Sequence, residues 1–138
     1  MTSLNPYLSF RDNARAAMEF YQQALGGELE VMTFEAFPEM VPDPSEATLV
    51  MHAQLTTPEG LVLMASDTPS VMPYAAPQGI SVSLSGTDAD ALRAAWDKLS
   101  DGGTVAMPFE RAPWGALFGM FTDRFGIQWM VNAGQEQG

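Results

Sequence analysis

Ala14, Ala17, Met18, Tyr21 and Leu25 recur at spacings of three and four, the stripe of an amphipathic helix. Asp12 or Asn13 is its candidate N-cap. Gly26-Gly27 is its candidate stop, with C-capping accounting for both glycines. Ahead of the helix, Asn5–Phe10 reads as a strand. Behind it, Glu28–Phe34 sets Leu29 and Val31 against Glu28 and Glu30, the alternation of a half-buried strand. Ala36–Glu46, rich in proline and acid, reads as a loop. Ala47–Leu55 and Leu61–Ser66 predict two more strands around the turn Thr57-Pro58-Glu59-Gly60.

The second half repeats the order. Gly79–Ser85 places Ile80, Val82 and Leu84 on one face and Ser81, Ser83 and Ser85 on the other. Thr87 or Asp88 is the N-cap of a helix with Leu92, Ala95, Trp96 and Leu99 on its stripe, and Gly102-Gly103 ends it. Thr104–Phe109, Ala116–Thr122 and Ile127–Asn132 predict three strands, the last two joined by Asp123-Arg124-Phe125-Gly126. The two Gly-Gly stops lie 76 residues apart. Two βαβββ modules, about 4–67 and 79–132, predict an α+β fold with antiparallel pairing and helices on one side, in a single domain spanning 1–138. A doubly wound parallel sheet would need helices between most strands. The polar tail Ala133–Gly138 reads as frayed.

Composition narrows the chemistry. The chain has 138 residues, 46% hydrophobic and 17% charged, which suits a globular core. It has no cysteine, so disulfides, thiolate metal sites and cysteine nucleophiles are out. His52 is the one histidine. A net charge of −11 repels phosphate backbones and anionic lipid, so neither nucleic acid nor membrane is an expected partner. The N-terminus lacks a basic region followed by an apolar stretch, and no apolar run approaches 18 residues; a cytoplasmic location is expected.

Several stretches carry a resemblance. Asn5-Pro6-Tyr7-Leu8-Ser9-Phe10, Phe20-Tyr21, Leu25-Gly26, Met51-His52-Ala53, Ser66-Asp67, Trp114-Gly115 and above all Asp123-Arg124-Phe125-Gly126-Ile127-Gln128-Trp129-Met130-Val131-Asn132 are similar to PhnB-like proteins. These belong to the vicinal oxygen chelate superfamily of glyoxalases, bleomycin-resistance proteins and dioxygenases. The resemblance implies two βαβββ modules whose mixed sheets curl around a cup, and a homodimer. It implies no settled activity. Gene neighbourhood links these proteins to phosphonate metabolism, and a related family label names a ubiquinone-type methyltransferase. The methyltransferase reading is set aside here, because no glycine-rich strand-to-helix turn exists to seat a nucleotide cofactor; no cofactor is expected.

Catalytic members of the superfamily hold a divalent metal through His, Glu or Gln at four positions on the first and last strands of each module. Strand order puts these near Asn5, Leu63, Ser81 (or Ile80) and Met130. Leu and Ile cannot coordinate, and Asn, Ser and Met are poor ligands for such ions. No His, Glu or Asp lies on Gly79–Ser85 or Ile127–Asn132, so no metal is expected.

Other residues can carry function. His52, mid-strand, is a candidate base or hydrogen-bonding group in the cup, or an ordinary sheet histidine. Asp67 can orient it, or simply form the turn before Thr68-Pro69. Asn5 and Tyr7 share a strand face with Ser9 that the superfamily pattern points into the cup. Trp114, in a Pro-Trp-Gly turn, is a candidate for ligand or interface contact; Gln128 and Met130 share one face of the last strand. Trp96 and Trp129 read as core. Arg111 is the one cation near a plausible cup mouth, which gives a phosphonate little to bind. The Ala36–Glu46 loop is a lid or a solvated acidic loop. Two readings stand: a metal-independent small-molecule-binding homodimer, contacting through Trp114 and Ala116–Phe121, or a metal-free isomerase or lyase with His52 as base and Asp67 as orienter. A purely structural role is the third.

Overall fold

The computed structural model describes residues 4–75 and 78–134, in two compact units, Met1–Ala76 and Pro77–Gly138. The first holds β1 (Tyr7–Phe10), α1 (Ala14–Leu25), β2 (Glu28–Thr33), β3 (Val50–Thr56) and β4 (Val62–Asp67). Its sheet order is β1-β4-β3-β2; β1 runs parallel to β4 and the other pairs are antiparallel. The second unit holds β5 (Val82–Gly86), α2 (Ala89–Ser100), β6 (Thr104–Arg111), β7 (Leu117–Thr122) and β8 (Gln128–Ala133). Its order, β5-β8-β7-β6, repeats the first in kind. The α+β reading and the paired βαβββ order both hold. The expected loop after β2 carries three single-turn 3-10 segments, Phe34–Ala36, Pro38–Met40 and Pro44–Glu46. Two of them start on proline, whose fixed φ suits a first helical position.

In each unit one sheet face lies under the helix and forms the core. Ala14, Ala17, Met18 and Tyr21 of α1 are fully buried, as are Ala53, Leu55 and Ala65 of the strands below. The second unit fills the same layer with rings. Trp96 of α2 stacks on Phe109 at 5.4 Å and meets Phe121 edge-on at 4.9 Å. Phe121 in turn lies parallel to Trp129. Trp96 and Trp129 are core, as their patterns predict. Gly119 makes room for this: a Cβ there would sit 2.7 Å from the Trp96 ring.

Three local readings need correction. The second glycine of each Gly-Gly pair is not a simple C-cap. A Cβ on Gly27, whose φ is +103°, would lie 2.1 Å from the Thr56 carbonyl oxygen, and one on Gly103 would lie 2.2 Å from that of Thr122. The β3–β4 and β7–β8 turns press their backbones onto these positions, so only glycine fits. Asn13 is the N-cap residue of α1, one of the two expected, but its side chain makes no capping bond. The cap comes from Asp67, far along the chain. Finally, Ala133 is a buried strand residue, and Gly134 N–H donates to the Gly86 carbonyl at 2.8 Å; residues 135–138 of the expected tail lie outside the described residues. Strand ends shift by a few residues, most at β3 and β5, which begin at Val50 and Val82.

Candidate functional site

The sheet face away from each helix carries the candidate chemistry. In the first unit, strand alternation sends Leu63, Ala65 and Asp67 toward α1, and Met64 and Ser66 to the open side. Tyr7 and Ser9 register with these two across the parallel β1–β4 pair. His52 precedes Ala53, which is buried beside Ala65, so its ring points to the open side as well. Tyr7 and His52 meet there. The phenol oxygen lies 3.3 Å from His52 Nδ1 and the ring centroids are 5.8 Å apart. Tyr7 remains half exposed. Asn5 lies just before β1, where the Pro6 carbonyl accepts from Met64 N–H at 3.1 Å.

Asp67 does not join them. Its carboxylate is buried on the helix side, where Oδ1 accepts from Ala14 N–H and Oδ2 from Val50 N–H, each at 2.9 Å. The expected His52–Asp67 pair therefore does not form: the two side chains project from opposite faces of one sheet. The Asp67 charge is spent on the positive end of α1 and on a strand N–H. The group that touches His52 is a phenol.

In the second unit the open side carries Gln128, Met130 and Asn132 of β8, Phe118 and Met120 of β7, and Ser83 and Ser85 of β5, matched in register. Trp114, largely exposed on the β6–β7 hairpin, meets Phe118 edge-on at 5.6 Å. Arg111 closes that hairpin, donating from Nη1 to the Gly115 carbonyl at 2.6 Å. The cation expected near a cup mouth is thus engaged in holding a turn. Met64 and Asn132 were missed by sequence reasoning, and Phe118 entered it only within the contact stretch Ala116–Phe121. The period of two that selected Gln128 and Met130 extends to Asn132, so that residue was within reach. Met64 was passed over for Leu63, which is buried in the core.

The side chains at the positions implied for a metal do not suit one. On the open face, the first and last strands offer Tyr7, Ser9, Val62, Met64 and Ser66 in one unit. The other offers Ser83, Ser85, Gln128, Met130 and Asn132. Phenol, hydroxyl, thioether and carboxamide groups with no carboxylate or imidazole make a poor set for a divalent catalytic metal. Among the described residues no three His, Cys, Asp or Glu side chains gather into a metal-holding group. In the loop after β2, the Ser45 hydroxyl, and then its backbone N–H, hold the Asp43 carboxyl below the usual carboxylate range.

Comparison with known proteins places these geometries in a family. Protein YjdN of Escherichia coli K12 is 29% identical over 144 residues, covering 97% of each chain. The crystal structure of PA1353 from Pseudomonas aeruginosa is 41% identical, with a TM-score of 0.88 over 99% of this chain and 100% of that one. A PhnB protein from Bacillus cereus, described as a putative 3-demethylubiquinone-9 3-methyltransferase, has a TM-score of 0.75 at 20% identity, over 95% of this chain and 98% of its own; it shares the fold. The sequence model of the Glyoxalase/Bleomycin resistance protein/Dioxygenase superfamily matches residues 3–131. With paired βαβββ units and a match over nearly its whole length, the chain belongs to that superfamily.

Proposed function

We propose that this protein binds a small, uncharged organic molecule on the open faces of its sheets, as a homodimer and without a catalytic metal. One observation carries the reading. On the two inner strands and the parallel-paired strand of each unit, the open face carries apolar and polar side chains without a carboxylate, among them Tyr7, His52 and Met64 in one and Met130, Phe118 and Asn132 in the other; the acids of these faces, Glu28, Glu30 and Glu110, stand on the outer antiparallel strands β2 and β6. Such a lining suits an apolar body oriented by a few hydrogen bonds. His52 serves as one of those groups, with its Nδ1 set by Tyr7. Without an orienting carboxylate it lacks the arrangement of a general base. No glycine-rich turn is present to hold a methyl-donor nucleotide, so the methyltransferase description of the Bacillus relative is not carried over.

Native mass spectrometry of protein freshly purified without chelator or affinity tag tests this. The expected species is near ~30 kDa, twice the 14.9 kDa chain, as symmetric dimers are the commonest assembly of small chains, and it retains an organic mass. Near-stoichiometric zinc, nickel, iron or manganese, lost when Tyr7 or Met130 is substituted, would overturn the reading.

A further inference from the structure

On the open face of the second unit, the Asn132 carboxamide Oδ1 is buried and has no hydrogen-bond partner among the described residues. Buried acceptors are almost always satisfied, and an orphan one marks a place where a partner is missing. Among the described residues its strand neighbours supply none. Across the parallel register lies Ser85, whose hydroxyl is paired with that of Ser83 at 3.2 Å. Across the antiparallel register lies Phe118, which has no donor to offer. Trp114 meets the Phe118 ring from the exposed hairpin.

We infer that Asn132 Oδ1 is the polar anchor of the ligand site, and that the ligand is a flat apolar molecule presenting one N–H or O–H donor. The assignment rests on the proposed small-molecule reading and goes beyond it by naming the ligand's chemistry. The donor satisfies Oδ1, and the body lies against Phe118, Met120 and Met130. The acceptor is covered in the free protein, so entry requires the Trp114–Phe118 pair to shift. Both lie on or next to a hairpin tip, where the backbone is least constrained. A ligand whose only polar group is a phosphonate or carboxylate leaves Oδ1 unsatisfied, because an ionised oxygen accepts and cannot donate.

The test compares indole, which has the donor, with 1-methylindole, which has the same body and lacks it. Binding is read by two-dimensional NMR of the full chain, following the Asn132 side-chain amide and the Phe118 backbone amide. Indole is expected to bind roughly tenfold tighter, the usual weight of one hydrogen bond to a buried acceptor. Asn132→Leu is expected to abolish that difference by weakening indole alone. The wild-type comparison decides the matter even if the variant folds poorly. Equal binding of the two probes overturns the donor assignment and leaves the small-molecule reading standing. Binding of neither overturns the assignment, and together with a mass spectrum free of retained ligand it removes that reading as well.

Discussion

The two units share a backbone plan and differ in where each buries its carboxylate. In the first, Asp67 at the end of β4 ties the start of α1 to Val50. Register places Ala133 at the matching end of β8, and there α2 is capped by its own neighbour: Asp88 accepts from Ala91 N–H at 3.1 Å. In the second unit the buried carboxylate sits at the other end of the last strand. Asp123 accepts from Phe125 N–H, Ile127 N–H and the Trp129 indole at 2.8 to 3.0 Å. The matching turn in the first unit uses Thr57, whose hydroxyl accepts from Leu61 N–H at 3.0 Å. The backbone bonds of the two turns are the same in kind, Thr57 with Leu61 and Asp123 with Ile127. One fold thus satisfies the same orphan N–H groups by a local side chain in one copy and a distant one in the other. The requirement is fixed by the backbone, and the residue that meets it is free to move.

The hardest test falls on what the units share. Gly27→Ala and Gly103→Ala force a Cβ into a carbonyl oxygen, and each is expected to cost about 3–5 kcal/mol, enough to unfold a marginal domain. Gly60→Ala, at φ +86° but facing open space, is expected to cost only about 1–2 kcal/mol. Urea titration of the three variants separates clash from conformational preference. Equal losses would mean that the turn does not press on the glycines.

Next come the carboxylates. Asp123→Ala strands three donors and Asp67→Ala two, so losses of about 2–4 kcal/mol are expected, larger for Asp123. Asp123→Ala should also blue-shift Trp129 emission, since the buried indole N–H loses the carboxylate it donates to, whereas Asp67→Ala should leave it in place. A comparable shift in both would break the assignment of separate roles.

Smaller effects come from the helix caps. Asp88→Ala is expected to cost about 1 kcal/mol, and Asn13→Ala less than about 0.5 kcal/mol because its side chain caps nothing. A reversed order would show that α1 is capped locally after all. The least stability change, under about 0.5 kcal/mol, is expected from Tyr7→Phe, whose ring is half exposed. The variant should nonetheless move the His52 ring nitrogen resonances. Unmoved resonances would mean that the phenol and imidazole do not meet.

The amino-acid order alone placed both α-helices and all eight strands and their repetition, though not the 3-10 turns of the loop after β2, because periods of 3.6 and two are properties of neighbouring residues. It also narrowed the α2 cap to Thr87 or Asp88, and it marked the aromatic core positions Trp96 and Trp129 and the strand carrying Gln128 and Met130. Tertiary structure decided whatever depends on which face a strand turns inward and which distant backbone arrives beside it. Strand phase put Asp67 under α1, away from His52, and Leu63 in the core in place of Met64. The β1–β4 and β3–β4 pairings, joining segments more than 40 residues apart in the case of Tyr7 and His52, brought a phenol to the imidazole. Side-chain chemistry is written locally, but a contact is made by the pairing of strands, and that pairing is set by burial of the whole face at once.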